Sequence, residues 1–360
     1  MLDEHVVTLA VEGGVYAHAT GRGQILDLTH LWAVPGLVDA HAHLVAASTV
    51  EMLATCGERS DMRTMRRYAR DQLAGGVLLM LDKGAKNNTT LAMLDIPEPD
   101  RPELQMAGKA LAPKGGYYPE FPVAVSGDDL EREVEIACST TAAQWIKVVG
   151  DWPRKGKGAV PNYTEGELAA AVAVAHGHGR RVAVHTMAPE APSFAVRAGV
   201  DSIEHGLFLT ISDIAALGAR RGMWVPTLVA MEGVRDQLGA ESSGRRLLTR
   251  GLENVASLLT SAVDAGVQVL GGTDIVLPHG AVALEAPKLV EYGLSPEQAT
   301  WAVTEAGYVA LGIANLESGC AADVTLFAAH PHLDVKELQT PVGILRRGSW
   351  LVAPPLSHAT

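Results

Sequence analysis

The chain has 360 residues, of which 29 are Lys or Arg and 41 are Asp or Glu, so its formal net charge is −12. Hydrophobic residues make up 48% and charged residues 19%, a globular composition that excludes an intrinsically disordered chain. Because the acidic excess provides no basic stripe to neutralise phosphates, we expect neither nucleic acid nor an anionic membrane surface as a partner.

The cysteines and the apolar segments indicate the cellular compartment in which the protein is expected. Cys56, Cys138 and Cys320 lie far apart and form no CxxC pair, which is typical of a reducing environment. The longest uninterrupted apolar stretch, residues 168–175, is much shorter than the roughly 20 residues of a membrane span. The first residues, MLDEHVVTLAVEGG, are unlike a signal peptide. We therefore expect a soluble, cytoplasmic protein.

Short apolar segments alternate with longer helical segments from about residue 32 onward. Eight apolar segments are predicted strands, at residues 37–44, 77–82, 104–110, 145–149, 181–186, 202–205, 223–228 and 267–274. Predicted helices between them include 128–140, 165–176, 211–221 and 244–265. Thr164 followed by Glu167 is a capping-box pattern at one helix start.

These strand–helix units predict an α/β fold, a (β/α)8 TIM-type barrel, for which about 250 residues is a typical length. A doubly wound sheet is the structural alternative, but no GxGxxG motif follows an early strand. The two ends predict short strands with Gly turns, and neither end can form a core alone. We therefore predict a barrel over residues 35–314 and a small β-sandwich-like layer built from residues 1–34 plus 315–360.

Histidines recur at the ends of predicted strands. His41 and His43 end the first strand, where residues two apart point to the same side, so both imidazoles can reach one metal ion. Two other HxH pairs, at a helix end and in the C-terminal turn, are predicted to be surface histidines: His176 with His178, and His330 with His332.

Four more candidates lie at or near the carboxyl end of a predicted strand: Lys147, His185, His205 and Asp274. The carboxyl ends of barrel strands form the face on which barrel enzymes build their sites. A single strand-end histidine is usually a core residue, but six candidates on one rim indicate a metal site. Four neutral imidazoles, the Asp274 carboxylate and an anionic form of Lys147, described below, would suit two divalent metal ions.

Lys147 lies within an apolar strand, where burial disfavours the ammonium and should lower the pKa. A neutral amine at this position can take up CO2, and the resulting carbamate would bridge two cations as a bidentate anion. A lysine that extends to solvent or forms an ion pair is the alternative.

Five segments together resemble the amidohydrolase superfamily of metal-dependent hydrolases: VPGLVDAHAHL, the lysine of WIKVVG, AVHT, AGVDSIEHG and GGTD. The tail segments SGCAADVTLF and ILRRGSWLV are similar to the closing β-strands of that family, so the resemblance covers nearly the whole chain. Within the superfamily, the chain most resembles the binuclear branch of prolidase-like and imidazolonepropionase-related proteins.

The resemblance implies a role for each candidate. His41, His43 and Asp274 would bind the more buried metal ion, His185 and His205 would bind the other, and N-carboxylated Lys147 would bridge both. Zinc is the expected metal. A bridging water would be the nucleophile, with Asp274 as the general base and then the general acid.

Departures from the family pattern concern the substrate. Prolidase-like relatives tend to carry GGHG after the third strand and VRDLG at the end of the second, where this chain has GGYY and MLDKG. We therefore expect altered specificity, with substrate contacts from Lys83, Tyr117, Tyr118 and His279.

The leading hypothesis is a hydrolase of amide bonds in a peptide-like or N-acyl amino-acid substrate. A narrower alternative is the trimming of a modified ribosomal peptide of the bottromycin type. Deamination or ring opening of a cyclic amidine is disfavoured by Lys147 and by the absence of a glutamate after His185. A catalytically inactive scaffold is disfavoured because all six predicted ligands are present. The oligomeric state is open, with a homo-oligomer as one alternative.

Overall fold

The structure is a computed structural model that describes residues 6–19, 23–46, 61–119 and 121–356. Cys56 and the two ends of the predicted terminal layer, residues 1–5 and 357–360, lie outside the described residues. Cys138 and Cys320 are free thiols, in agreement with their unpaired spacing.

The strands of the described residues follow one another in short units. In chain order they are β1 (Ala10–Glu12), β2 (Val15–Ala17), β3 (Trp32–Val34), β4 (Leu37–Ala42), β5 (Val77–Asp82), β6 (Glu103–Met106), β7 (Ala110–Ala112), β8 (Val123–Ala124), β9 (Trp145–Val149), β10 (Asp151–Arg154), β11 (Gly158–Pro161), β12 (Arg181–Thr186), β13 (Ser202–His205), β14 (Met223–Val225), β15 (Gln268–Val269), β16 (Val324–Phe327), β17 (Gly343–Arg346) and β18 (Ser349–Val352).

The α-helices in the same ranges lie mostly between the parallel strands. They are α1 (Met62–Ala74), α2 (Gly127–Thr140), α3 (Glu165–Gly177), α4 (Ala191–Arg197), α5 (Ile211–Ala219), α6 (Leu228–Gln237), α7 (Ser243–Asp264), α8 (Glu285–Glu291), α9 (Pro296–Ala302) and α10 (Glu305–Leu311). Short 3-10 segments cover Lys86–Asp95, Glu98–Asp100, Val282–Leu284 and Val335–Gln339. Of the helices in the described ranges, none combines the length and apolar character that a bilayer span needs.

Several helices begin where a side chain accepts a hydrogen bond from a free backbone N–H group of the first turn. Thr164 accepts a hydrogen bond from the backbone N–H of Glu167, and the Glu167 carboxylate accepts one from the backbone N–H of Thr164. This reciprocal pair satisfies two donors at the start of α3. The predicted capping box is therefore confirmed.

A ring of parallel strands forms the centre of the molecule. β4, β5 and β6 pair in that order, and β9, β12, β13, β14 and β15 continue the ring. Between β6 and β9, the backbone N–H of Gln144 donates to the carbonyl of Met106 at 2.9 Å. On the other side, the segment after β15 meets β4, where Ala40 N–H donates to Gly271 O at 2.9 Å. The predicted barrel class is confirmed.

Four predicted strands differ in extent from the observed ones. The first ends at Ala42 instead of residue 44. The third is divided into β6 and β7 by a turn at Gly108, whose φ is 70°. The seventh stops at Val225 because Pro226 has no N–H to donate to a strand ladder. The eighth is regular only over β15, and residues 270–274 follow β4 without regular pairing.

Side chains of the barrel strands divide between two hydrophobic clusters. One set, which includes Val77 and Val148, belongs to a cluster with residues of the surrounding helices such as Leu168. The alternate set, which includes Leu79 and Trp145, forms a separate cluster among the strands. Because this inner cluster fills the barrel, polar groups of the strands gather at its carboxyl end.

An extra residue in β4 alters this alternation. Between Asp39 and Ala42, β4 has one residue more than the facing stretch of β5. Such a bulge changes the side to which the following residues point. Ala40 belongs to the inner cluster, and regular alternation would direct His41 and His43 away from it. The bulge directs both histidines to the barrel centre instead.

The terminal segments pair with each other beside the barrel. β16 pairs with β3 and β17, and β17 pairs with β18, all antiparallel. The β1–β2 hairpin joins through a bridge between Val15 and Ala321. Buried Arg346 forms an ion pair with Asp323 and donates to the carbonyl of Arg101 at 3.0 Å. The predicted composite layer is confirmed, whereas its boundaries at residues 34 and 315 stay predictions.

Gly272 lies where the segment after β15 meets β4. A Cβ at this position would lie 2.7 Å from the Cβ of His41 and 3.0 Å from its backbone nitrogen. We expect Gly272→Ala to lower the free energy of unfolding by about 1–3 kcal/mol, because overpacking displaces backbone. Urea denaturation measures this change. Gly166→Ala is the control, because an added Cβ there meets open space in α3. An equal loss of stability in both variants would contradict the prediction.

Candidate metal centre

Four predicted histidines converge at the carboxyl end of the barrel. His41 lies in β4 and His43 follows it, while His185 and His205 lie in β12 and β13. Ring centroids are 5.4 Å apart for His41 and His43, 5.2 Å for His41 and His205, and 4.6 Å for His185 and His205. None of the four is more than 4% exposed. The structure therefore brings them into one buried group.

Asp274 completes one half of this group. Its Oδ1 lies 3.7 Å from His41 Nε2 and 3.6 Å from His43 Nε2. One ligand atom from each of the three residues lies within 4.8 Å of the others. Tetrahedral zinc with bonds of 2.0–2.2 Å separates its ligand atoms by roughly 3.3–3.6 Å. The three residues therefore fit a single ion.

Polar contacts at Nδ1 set the orientation of the first two histidines. His43 Nδ1 lies 2.8 Å from the carbonyl oxygen of Gly84, which only accepts, so Nδ1 carries the proton. His41 Nδ1 lies 2.7 Å from a carboxylate oxygen of Glu204, which favours the same tautomer. In both rings, Nε2 keeps its lone pair and faces Asp274.

His205 and His185 form the other half. Thr227 donates its hydroxyl proton to the carbonyl of Pro226 and lies 2.7 Å from His205 Nδ1, so that nitrogen is the donor. His205 Nε2 therefore keeps a lone pair, and it lies 3.0 Å from His185 Nδ1. The two nitrogens are at hydrogen-bond distance, slightly closer than two ligand atoms on one zinc ion would be.

Lys147 lies in β9 and is 3% exposed. Its Nζ has no hydrogen-bond partner within the described ranges. Burial lowers the pKa of this amine to about 8, so neutral amine is available near neutral pH. The alternative of a lysine that extends to solvent is inconsistent with this burial.

Burial also keeps the imidazoles neutral. It lowers the pKa of His43 and His185 to about 3 and holds those of His41 and His205 well below the usual value. The positive charge of Lys147 acts in the same direction. Neutral imidazole is the form that binds metal ions.

Three residues of the site have left-handed backbone. The φ angles are 63° at His205, 48° at Thr227 and 53° at Asp274. Side chains with a Cβ rarely adopt this conformation, and residues that do so cluster at functional sites. Tight packing around the site holds them there.

Glu204 is a functional residue that the sequence analysis missed. It is fully buried, contacts His41 Nδ1 and accepts a hydrogen bond from Lys83 Nζ at 2.9 Å. Burial by itself would raise the pKa of this carboxyl, but the nearby cationic groups, led by Lys83, hold it well below the usual value. The available signal was an acidic residue inside the apolar run of β13.

Lys83 lies beneath the histidines in this buried ion pair. It is 1% exposed, and its ammonium is 4.9 Å from the centre of the Trp145 ring at the start of β9. The predicted contact between Lys83 and a ligand is not favoured by this position, because Glu204 already binds the ammonium.

His279 also packs into the protein. Its ring lies 4.4 Å from that of Tyr68, and its Nδ1 is 3.3 Å from Gln72 Nε2. The carbonyl oxygen of Ala46 is 3.1 Å from its Nε2. Both ring nitrogens therefore have protein partners, which does not favour the predicted substrate contact.

Tyr117 and Tyr118, by contrast, lie beside the metal ligands. The Tyr117 ring is 5.3 Å from that of His185. Burial raises the pKa of the Tyr118 hydroxyl, and the negative charge of Asp274 adds to this effect. Their predicted role as substrate contacts stays a prediction that this position favours.

Asp151, which follows β9, was also missed. Its Oδ2 accepts hydrogen bonds from the backbone N–H groups of Met187 and Ala188, at 2.7 and 2.8 Å. Its Oδ1 is buried 4.0 Å from His185 Nε2. Burial raises the pKa of this carboxyl to about 7. The carboxyl therefore adds a polar group beside the second pair of histidines.

The other HxH pairs lie away from this group. His176 and His178 are exposed and pair with Asp201 and Glu135, at 2.8 and 2.9 Å. His330 stacks on a tryptophan ring of the terminal layer. Within the described residues, the cluster that meets the spacing of a metal site is His41, His43 and Asp274.

Glu204 should control metal affinity through His41. We expect Glu204→Gln to weaken zinc binding about 10- to 100-fold, because the carboxylate that orients His41 is lost and the Lys83 ammonium loses its counter-charge. Competition with a chromophoric chelator measures the affinity. Glu165→Gln is the control, because that carboxylate pairs with Arg197 at the surface. Wild-type affinity in Glu204→Gln would contradict the assignment.

Comparison with known proteins places this site in a family. Residues 32–350 match the amidohydrolase family. An uncharacterized protein of Mycobacterium tuberculosis is 32% identical over 332 residues, which cover 88% of this chain and 84% of the relative. An imidazolonepropionase of Salinispora arenicola is 27% identical over 340 residues, with 86% and 80% covered.

Solved structures show the same fold. A Xaa-Pro dipeptidase with bound methionine in its active site has a TM-score of 0.79 at 22% sequence identity. The match covers 96% of this chain and 94% of that chain. The fold agrees with the family match over residues 32–350, which shows that the chain belongs to the amidohydrolase family and is a hydrolase of carbon–nitrogen bonds.

Proposed function

We propose that the protein hydrolyses the amide bond of a peptide-like or N-acyl amino-acid substrate with two divalent metal ions, expected to be zinc. Six side chains would hold the ions: His41, His43 and Asp274 one of them, His185 and His205 the other, with N-carboxylated Lys147 between the two. The observation that carries the proposal is the placement of these six buried groups at one end of the barrel, where His41, His43 and Asp274 lie close enough to hold one ion and His185 contacts His205.

Lys147 supports the binuclear form. Its neutral amine attacks CO2, an N–C bond forms and one proton leaves to solvent, which gives a carbamate anion. A carbamate at this buried position would be an anion in the field of the Glu204 and Asp274 carboxylates, so it would require cations beside it. A carbamate and two divalent ions would stabilise one another.

Asp274 has the position of the proton carrier. When bound, the ions would lower the pKa of a water molecule and would polarise the scissile carbonyl. The backbone N–H of Ile275 donates to Asp274 Oδ1 at 2.7 Å and fixes the carboxylate. Asp274 accepts the proton of the attacking water as the new C–O bond forms. It then donates this proton to the leaving nitrogen as the C–N bond breaks.

A second candidate is hydrolysis of a substrate of the imidazolonepropionase type. The similarity to the imidazolonepropionase of Salinispora arenicola favours it. If a cyclic substrate were opened at a single metal ion, Lys147 would have no role as a bridging ligand. The number of bound ions therefore distinguishes the two candidates.

Lys147 should determine how many ions bind. We expect metal analysis of the purified protein to give about two ions per chain, and Lys147→Ala to reduce this to about one or fewer, because the bridging ligand is lost. Lys336→Ala, at an exposed position, is the control. One ion per chain that is unaffected by Lys147→Ala would contradict the binuclear proposal and favour the second candidate.

Asp274 should govern turnover more than substrate binding. We expect Asp274→Asn to lower kcat about 10²- to 10⁴-fold on the best amide of a peptide and acyl-amino-acid library, because an amide cannot carry the proton. Steady-state kinetics and metal analysis of the same preparations separate catalysis from metal loss. Asp264→Asn, at the exposed end of α7, is the matched control. Wild-type kcat in Asp274→Asn would show the assignment to be wrong.

A further inference from the structure

Apolar side chains surround the metal centre at the carboxyl ends of several strands. Val45, Ala46, Ala85, Ala110, Phe121 and Ile275 form a hydrophobic cluster of their own, and Tyr117 and Tyr118 pack against it. Val45 and Ala46 closely follow His43, and Ile275 follows Asp274. The surface next to the ligands is therefore largely apolar.

Three large rings stand together beside this cluster. The ring centre of Trp152 lies 4.6 Å from that of Tyr117 and 4.7 Å from that of Tyr118, and the two tyrosine rings are 5.1 Å apart. All three pairs meet edge to face, and all three residues are only partly buried. We call Tyr117, Tyr118 and Trp152 the aromatic wall.

The aromatic wall adjoins the metal ligands directly. The His185 ring lies 5.3 Å from Tyr117 and 6.1 Å from Trp152. On the other side, the Phe121 ring lies 5.3 Å from that of His43. Aromatic pairs favour centroid separations of about 4.5–7 Å. A ligand ring packed on the wall would therefore lie beside His185, so a short link would join it to a carbonyl at the metal centre.

Local contacts hold the aromatic wall in place before any ligand binds. Asn162 donates from Nδ2 to the carbonyls of Gly116 and Val149, at 2.8 and 2.9 Å, which ties the tyrosine loop to the end of β9. Trp152 lies in β10, whose pairing with β11 is regular. A preformed apolar surface loses little entropy when it binds a rigid group.

We propose that the aromatic wall binds an aromatic ring of the substrate, so that the protein prefers amides in which this ring is attached to the scissile carbonyl directly or through one methylene. This inference rests on the proposed amide hydrolysis and specifies its substrate class. The rings contribute stacking and edge-to-face contacts that a saturated ring of equal size does not make.

A matched substrate series tests the preference. We expect N-benzoyl and N-phenylacetyl amino acids to have kcat/KM values about 10-fold above those of the N-cyclohexanecarbonyl and N-acetyl compounds of the same amino acid. Tyr117→Leu and Trp152→Leu should each lower the ratio of kcat/KM for the aromatic members to kcat/KM for the saturated members about 2- to 10-fold. Tyr117→Phe should retain the preference, and Trp301→Leu, at an exposed position on α9, is the control.

A binding measurement separates this inference from the proposed reaction. Phenylacetate should bind more tightly than cyclohexylacetate, as measured by tryptophan fluorescence and calorimetry, and Trp152→Leu should abolish the difference. If both acids bind equally, or if aromatic and saturated amides react equally, the aromatic-ring proposal is overturned while amide hydrolysis stands. If phenylacetate binds selectively but no amide in either series is cleaved, the proposed reaction fails and the aromatic site stands. Tyr117→Leu provides the same comparison if Trp152→Leu does not fold.

Discussion

The junction between the first barrel strand and the segment after the last one is the contact on which the site depends. Asp39 is fully buried and accepts hydrogen bonds from the backbone N–H and hydroxyl of Thr273, at 3.1 and 2.6 Å, and from Gln72 at 3.1 Å. The backbone N–H of Asp274 donates to the carbonyl of His41 at 2.6 Å. The same contacts therefore close the ring of strands and fix the position of Asp274 relative to His41.

Burial determines which groups inside the barrel are charged and which are neutral. The ion pair of Lys83 and Glu204 lies beneath the histidines, and a buried ion pair of this kind contributes little net stability. The ion pair instead orients His41, because the charged carboxylate of Glu204 contacts Nδ1 of that ring. Burial of the polar histidines and the strained backbone at His205 cost folding free energy. The packing of the surrounding strands and helices offsets this cost.

One strand and the residues that follow it carry both a proposed metal ligand and part of the aromatic wall. β9 carries Lys147 in its interior, and Asp151 and Trp152 follow its carboxyl end. Asn162 bonds to the last residue of the same strand and to the loop that bears the two tyrosines. The proposed metal ligands belong to strands and their ends, whereas the groups that would select a substrate belong mostly to loops. Loops can therefore differ between relatives while the metal ligands keep their geometry.

The sequence by itself determined the barrel class, the pairing of the two ends and the residues that gather at the carboxyl rim. Apolar periodicity identifies strands, and parallel strands place their ends on one face. The tertiary structure alone decided the bulge in β4, the ion pair of Glu204 with Lys83, and the packing of His279 against Gln72. Glu204 and Lys83 are 121 residues apart, so their contact depends on strand register and barrel closure. Local sequence sets which residues share a strand, but the partner of a buried polar group is set by the whole ring of strands.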